Sequence, residues 1–301
     1  MAGLRLGLVG VGRWGRIYIR TLGQLAPDIH LARVASRNPE TAALVPAGCV
    51  VSADWQDLVA AGDLDGIIVA SPPETHVDIA LAAVAAGLPV LVEKPLCLDS
   101  DEAGRLFAAA QDAGALVMVE HTHLFSPAFR RLKQLVPTLG GPRAVEGRAG
   151  NLIGRLSAPI LWDWGAHDVA LCLDLLGALP DRIDAALVDR PALPDGGHGE
   201  TFRLTLGFGS IEATVTCGTL AAKTRRFTVA CPDGTLVYDD LAADKLTLDG
   251  RAVPVAGDLP LTTAVREFAA KVRSGSHDLA SLQLGMRVVT VLGQAAAGFG
   301  A

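Results

Sequence analysis

Within its first fifteen residues the chain runs Leu4-Arg5-Leu6-Gly7-Leu8-Val9 and then directly into Gly10-Val11-Gly12-Arg13-Trp14-Gly15. No other feature restricts the fold as much. A compact apolar run, a G-x-G-x-x-G turn and a helical pattern are the strand–turn–helix opening of a dinucleotide-binding α/β unit. Each glycine has its own task. Gly10 permits the tight turn, Gly12 lets a pyrophosphate approach the backbone, and Gly15 lets helix and strand pack closely. The free N–H groups at the helix start, around Arg13 and Trp14, then bind the phosphates.

The next 110 residues extend that pattern. His30–Ser36, Gly66–Ala70, Pro89–Val92 and Leu116–Val119 are continuous apolar runs, as strands covered on both faces must be. Glu74–Ala86 and Ser100–Ala113 carry apolar residues at helical spacing and stop at Gly87 and Gly114, with Ser100 the expected N-cap of the second. Strand and helix in alternation predict a doubly wound parallel sheet over residues 1–122. From residue 123 the pattern changes. Phe129–Leu135 and Trp164–Leu176 read as helices, the latter ended by Gly177. Strand-like runs follow at Ile183–Val188, Thr201–Phe208, Ile211–Cys217, Arg226–Ala230 and Thr235–Tyr238, with Pro191–Gly199 as a loop between two of them. Helices over Thr262–Arg273 and Ser281–Ala297 close the chain. Residues 123–301 are thus expected to form an α+β domain with an open, mostly antiparallel sheet.

The end of the second strand bears on which dinucleotide fits. An NAD site usually places Asp or Glu there, accepting from the ribose hydroxyls. This strand ends Ala35-Ser36-Arg37. Ser36 can donate to a 2′-phosphate and Arg37 can pair with it, so the sequence favours NADP(H) over NAD(H). In the alternative, Arg37 stacks on adenine or lies in solvent.

Composition excludes other classes. A net charge of −6 lacks the basic face that nucleic-acid binding needs. Five scattered cysteines with no C-x-x-C pair argue against a disulfide framework or a metal site, and suit a reducing cytoplasm. No signal peptide and no membrane span are expected.

Three further motifs carry a resemblance. Ser71-Pro72-Pro73-Glu74-Thr75-His76, Glu93-Lys94-Pro95 and Asp163-Trp164-Gly165-Ala166-His167 resemble, in order and spacing, the glucose–fructose oxidoreductase / inositol dehydrogenase / rhizopine catabolism family, over nearly the whole chain. The resemblance implies a Rossmann domain followed by an α+β domain whose open sheet supports homodimers or homotetramers. It implies hydride transfer at a secondary alcohol or ketone of a sugar, an inositol or a nucleotide sugar. The lysine of the E-K-P motif lies near nicotinamide ribose and substrate, and the Asp and His of D-x-G-x-H complete the site. Those roles fall on Lys94, Asp163 and His167. Ser71, Pro72 and His76 are expected to line the cofactor cleft. Glu93 is expected to orient Lys94 or touch the nicotinamide side, and the bond before Pro95 is expected to be cis.

Elementary chemistry points to the same residues. Oxidising an alcohol releases a proton that needs a base titrating near the working pH. His167 is a natural candidate, with Lys94 as helper or second proton donor. Asp163 and His167, four residues apart, share a helix face, so Asp163 can orient the imidazole or hold a substrate hydroxyl. Gly165 between them is expected to leave room for a ligand. The bland alternatives are an N-cap for Asp163, a packed helix residue for His167 and a surface lysine for Lys94.

Glu120-His121-Thr122-His123-Leu124-Phe125-Ser126-Pro127 resembles the family's G-H-T-F-L-Y-N-P variant. It departs where Glu120 replaces Gly and His123 replaces Phe. His121 is expected to reach the substrate and His123 to be structural. Trp162 and Trp164 flank Asp163, and one can stack on a sugar or nicotinamide face, though core packing is an equal reading. Arg148 and Arg155 read as surface residues rather than contacts for an anionic substrate. Asp168 follows the histidine directly, out of step with the family's D-x-G-x-H-x-x-D, and takes no role. Two other functions share these motifs. One is a nicotinamide-dependent glycosidase without net redox change. The other is a non-catalytic NAD(P)-sensing regulator, disfavoured because Lys94 and His167 are both present.

Overall fold

The apolar run at the start of the chain, β1 (Leu4–Val9), lies inside a six-stranded parallel sheet of order β3-β2-β1-β4-β5-β6. In this computed structural model, residues 3–152, 158–193 and 197–298 are described. β1 leads through the glycine turn into α1 (Arg13–Leu25), then β2 (Ile29–Ala35), β3 (Val50–Ser52), α2 (Trp55–Val59), β4 (Gly66–Val69), α3 (His76–Ala85), β5 (Val90–Glu93), α4 (Ser100–Ala113) and β6 (Val117–Glu120). β4, β5 and β6 are buried at every position, as continuous apolar runs in a doubly covered parallel sheet should be. Each Ile, Val or Leu there contributes about 1.5–3 kcal/mol by leaving water. The strand order reverses between β1 and β4, so ligands are expected beyond their carboxyl ends.

Three elements of this unit differ from what the sequence predicts. α4 is capped by Asp99 rather than Ser100, because the Asp99 carboxylate accepts from the N–H groups of Asp101 and Glu102. β3 and α2 escaped notice because each is at most five residues long, and Val50 and Val51 of this edge strand are exposed.

A second sheet has eight strands in the order β14-β13-β12-β11-β7-β10-β9-β8. The chain enters it through α5 (Pro127–Leu135) and β7 (Ala144–Gly150), passes through α6 (Ile160–Leu176), and continues as β8 (Arg182–Asp189), β9 (Thr201–Phe208), β10 (Ile211–Gly218), β11 (Thr224–Cys231), β12 (Gly234–Asp239), β13 (Leu246–Leu248) and β14 (Arg251–Ala252). All neighbours are antiparallel except β7 and β10. α6 packs on β7, β9 and β10, and α5 on β12 and β13. Under these helices Val145, Leu204, Ala213, Val215, Phe227 and Leu236 are buried, and Phe129 of α5 meets Phe227 edge to face at 5.8 Å. Residues 194–196 of the Pro191–Gly199 loop lie outside the described residues.

The last two helices, α7 (Pro260–Arg273) and α8 (Ala280–Ala297), do not simply extend the second unit. Leu261–Met286 cluster with residues 1–120, whereas the sequence reading has all of 123–301 in one domain. The physical reason is apolar burial on the parallel sheet. Phe268 is fully buried beside Gly66, and Ser281 Oγ accepts from Val119 N–H at 2.9 Å. His121–Pro260 and the chain from Arg287 onward form the other unit. Among the described residues no helix is long and apolar enough to cross a membrane.

Candidate active site

In the first unit, the glycine turn separates what the protein needs from what a ligand needs. Gly10 has φ of 93°, and a Cβ there would lie 2.6 Å from the Ala70 carbonyl oxygen. A Cβ on Gly15 would lie 2.1 Å from the Gly10 carbonyl oxygen. Both glycines are required by backbone packing. Gly12 is not: a Cβ there would meet nothing within 4 Å. It caps α1 without a side-chain hydrogen bond, and the first turn of α1 holds no acid. An uncapped positive helix end beside open space suits a diphosphate, so these residues fit an NAD(P) cofactor. Arg13 is exposed and Trp14 half-buried at this rim.

Ser36 follows β2. Its Oγ accepts from Asn38 N–H at 3.2 Å and from the Thr41 hydroxyl at 2.9 Å, which leaves its own O–H to donate elsewhere. Arg37 beside it is exposed. Ser71, after β4, has its hydroxyl 2.7 Å from Thr75 Oγ1, which itself donates to the Pro72 carbonyl. The Ser71 proton therefore points to Thr75, and its lone pairs remain as acceptors. His76 is buried with Nδ1 3.0 Å from the Pro95 carbonyl and Nε2 2.8 Å from the Ser71 carbonyl. The ring sits between the Ser71 loop and the Lys94–Pro95 loop, donating to one carbonyl when neutral and to both when protonated. His76, expected to line the cofactor cleft, is packed between the two loops. Burial lowers the His76 pKa, against the pull of the two carbonyls.

Lys94 leaves β5 through a cis bond to Pro95 and is 7% exposed. Glu93 before it is buried, in register with Glu120 on β6. Tyr18 of α1 faces Glu93, although neither the Tyr18 hydroxyl nor either Glu93 carboxylate oxygen has a hydrogen bond of normal geometry. Burial first, and then the charge of Glu120, push the Glu93 carboxyl well above the usual range.

In the second unit, α6 starts at Ile160 behind Pro159, so Asp163 lies within its first turn and is not the N-cap. Asp163 is half-buried, while Trp162 and His167 are buried. Gly165 does not leave room for a ligand: a Cβ there would lie 3.1 Å from Leu292 and 3.4 Å from the Cys217 sulfur. Its smallness serves helix packing. His121 is buried at the mouth of the 3₁₀ turn Thr122–Phe125. His123 in that turn stands 5.0 Å from His167, ring centre to ring centre. Arg148 is exposed on β7, and Arg155 lies outside the described residues.

Three residues at His167 took no role in the sequence reading. Asp168 turns inward, packs against Gly147, and is pushed up to about 7 by burial, against the charge of Arg225. Arg225 of β11 lies over the Trp164 ring at 4.6 Å. Tyr238 of β12 contacts His123. With His123 and His167 they line a cavity of about 10 Å³. Only the out-of-step Asp168 left a trace in the sequence pattern.

An uncapped helix end beside open space at Gly12, on a parallel sheet whose β5 leads into a buried lysine, fits the nicotinamide dinucleotides used by oxidoreductases. Residues 4–121 match the family described as "Oxidoreductase family, NAD-binding Rossmann fold". UDP-N-acetylglucosamine 3-dehydrogenase of Acidithiobacillus ferrooxidans is 30% identical over 237 residues, covering 77% of this chain and 73% of that one. Inositol 2-dehydrogenase 4 of Saccharopolyspora erythraea is 29% identical, covering 87% and 76%. A crystal structure from Magnetospirillum magnetotacticum MS-1, described as an oxidoreductase, is 46% identical with a TM-score of 0.90, covering 97% of this chain and 99% of that one. The chain belongs to the glucose–fructose oxidoreductase / inositol dehydrogenase / rhizopine catabolism family of NAD(P)-dependent oxidoreductases.

Proposed function

We propose that the chain is an NADP(H)-preferring dehydrogenase or reductase of a sugar, an inositol or a nucleotide sugar, with Lys94, Asp163 and His167 carrying the proton chemistry. The observation that carries this reading is Gly12, where among the described residues nothing beyond its own helix lies within 4 Å of an added Cβ. Relatives named for UDP-N-acetylglucosamine and inositol support the polyol class. Arg13 and Trp14 at the helix start, with Gly10, Gly12 and Gly15, would hold the diphosphate. Ser71, Pro72, Glu93 and Lys94 would border the path to the nicotinamide. When bound, the nicotinamide ring takes or gives a hydride. His167 takes the hydroxyl proton on oxidation and returns it on reduction, Asp163 orients the imidazole or a substrate hydroxyl, and Lys94 supplies a second N–H donor. His121 and Trp162 would contact the polyol.

The preference for NADP(H) rests on Ser36 and Arg37. Ser36 already accepts two hydrogen bonds and has its proton to give, which suits an acceptor-only phosphate. We place the enzyme in the cytoplasm as a homodimer or homotetramer joined through its open sheet, on family likeness and on the absence of a paired cysteine motif. Absorbance at 340 nm with sugars, inositols, sugar acids and nucleotide sugars, in both cofactors, tests the activity. Tighter binding of NAD(H) than NADP(H) overturns the preference, and binding of neither overturns the whole reading. Turnover of a glycoside without a change at 340 nm favours the glycosidase.

A further inference from the structure

His123 and His167 stand 5.0 Å apart with their ring planes at 77°. Two imidazoles this close repel if both take protons. The hydrogen bonds around His123 decide which stays neutral. Arg225 Nη1 lies 3.2 Å from His123 Nε2. A guanidinium has only N–H donors and keeps its charge at any working pH, so His123 Nε2 accepts and the ring proton sits on Nδ1. That N–H donates to Tyr238 Oη at 2.8 Å, and the tyrosine hydroxyl reaches Asp240 Oδ1 in a longer contact of 3.4 Å. The donors run one way, from Arg225 to Asp240. A second proton on His123 would set N–H against N–H and positive charge against positive charge. Arg225 cannot easily retreat, because its guanidinium lies over the Trp164 ring and is attracted by Asp168, Asp240 and Asp163.

We propose that Arg225 and His123 are positioning residues for His167: they keep one ring of the pair neutral and fixed, so that His167 alone takes up and releases a proton. The proposal rests on the reading of His167 as the acid/base. Ionisable groups that face the pair, besides Arg225, include Asp163 and Asp168 on α6, Arg226 on β11, Tyr238 on β12 and Asp240 beyond it. Behind Asp168 the Cys172 and Cys217 thiols are kept protonated by burial. Asp168 ionises at about 7, in the range of an imidazole, so the rings themselves must be followed.

Histidine side-chain ¹H–¹⁵N spectra of the intact protein from pH 5 to 9 make the test. His123 is expected as the neutral Nδ1–H tautomer throughout, while His167 titrates. In Arg225→Met, His123 gains its own titration. The acid limb of kcat/KM for oxidation, measured with the alcohol turned over fastest in the 340 nm screen, then departs from a one-proton curve and spreads over a wider pH range, because the two rings share the first proton and repel the second. Adding His123→Phe to Arg225→Met restores the one-proton limb, which mere loss of packing would not do. Arg225→Lys keeps the charge and leaves His123 neutral. Circular dichroism and thermal melts of each variant check folding of the second unit, which holds all of these residues. A titrating or Nε2–H His123 in the wild type overturns the proposal, as does an unchanged limb in Arg225→Met. A His167→Ala variant with undiminished kcat overturns the catalytic reading, and with it the positioning role of Arg225 and His123, even where the tautomer is as stated.

Discussion

Glu93 and Glu120 stand opposite each other at the carboxyl ends of β5 and β6, register partners 4% and 0% exposed. Register partners on neighbouring strands project to the same face, and two buried carboxylates there cannot both ionise cheaply. Burial and the charge of Glu120 hold the Glu93 pKa well above its ordinary value. The folded state therefore keeps a proton that the unfolded chain releases above about pH 4.3. The stability from this group is complete below that pH and declines as pH rises towards the folded pKa. Glu120→Gln removes the second charge, so its melting temperature is expected to exceed that of the wild type by about 2 °C or more at pH 8, with little difference at pH 4. Equal differences at both pH values, measured by thermal melts, would refute the coupling.

The glycine turn makes a paired prediction. Gly12→Ala places its Cβ in open space. It is expected to keep the melting temperature and to weaken dinucleotide binding on the order of tenfold or more, because the phosphate is then held off the helix end. Gly15→Ala drives a Cβ towards the Gly10 carbonyl and is expected to cost about 1–3 kcal/mol of stability, as overpacking does. Calorimetric titration and thermal melts separate the two. A stable Gly15→Ala, or a Gly12→Ala that binds both dinucleotides as the wild type does, would contradict this assignment.

How far the sequence could be read depended on side-chain size and on chain separation. β1 and the Gly10–Gly15 turn were legible because glycine spacing and an apolar run restrict the backbone locally. β7 was missed because its inward positions are Val145, Gly147 and Ala149, too small a set to stand out as an alternating strand. Asp163 and His167 were legible as an i, i+4 pair on one helix. The start of that helix was not, because Pro159 supplies no side-chain cap. The sequence around Gly165 suggests ligand space because nothing local announces Leu292 and Cys217 beside it. Arg225 and Tyr238 were invisible for the same reason: β11 and β12 bring them to His123 from about a hundred residues downstream.

Lys94 and His167 are expected to separate in kinetics. His167→Ala removes a proton acceptor, so kcat should fall by about 10²–10⁴-fold while cofactor affinity stays near wild type. Lys94→Met removes an N–H donor expected near nicotinamide ribose and substrate, so kcat should fall and the dissociation constant of the cofactor should also rise. Steady-state kinetics with direct cofactor titration distinguishes them. Wild-type turnover in either variant would remove that residue from the proton chemistry.

Asp168 offers a second pH signature, confined to the second unit. Burial raises its pKa from 3.8 to about 7, with Arg225 pulling the other way. Between about pH 4 and 7 the folded protein binds a proton there that the unfolded chain has lost, so stability from this group declines across that window and levels off above it. Asp168→Asn cannot titrate. Its melting temperature should fall less than that of the wild type between pH 4 and 7, whatever constant offset the new amide introduces beside Gly147. The offset is separable because it is the same at every pH, whereas the Asp168 contribution changes only between the unfolded and folded pKa. Melting curves for wild type, Asp168→Asn and Glu120→Gln over the same buffers test this, since Glu120→Gln leaves the Asp168 contribution in place. Parallel pH profiles for the wild type and Asp168→Asn would show that the carboxyl is ionised across the whole window.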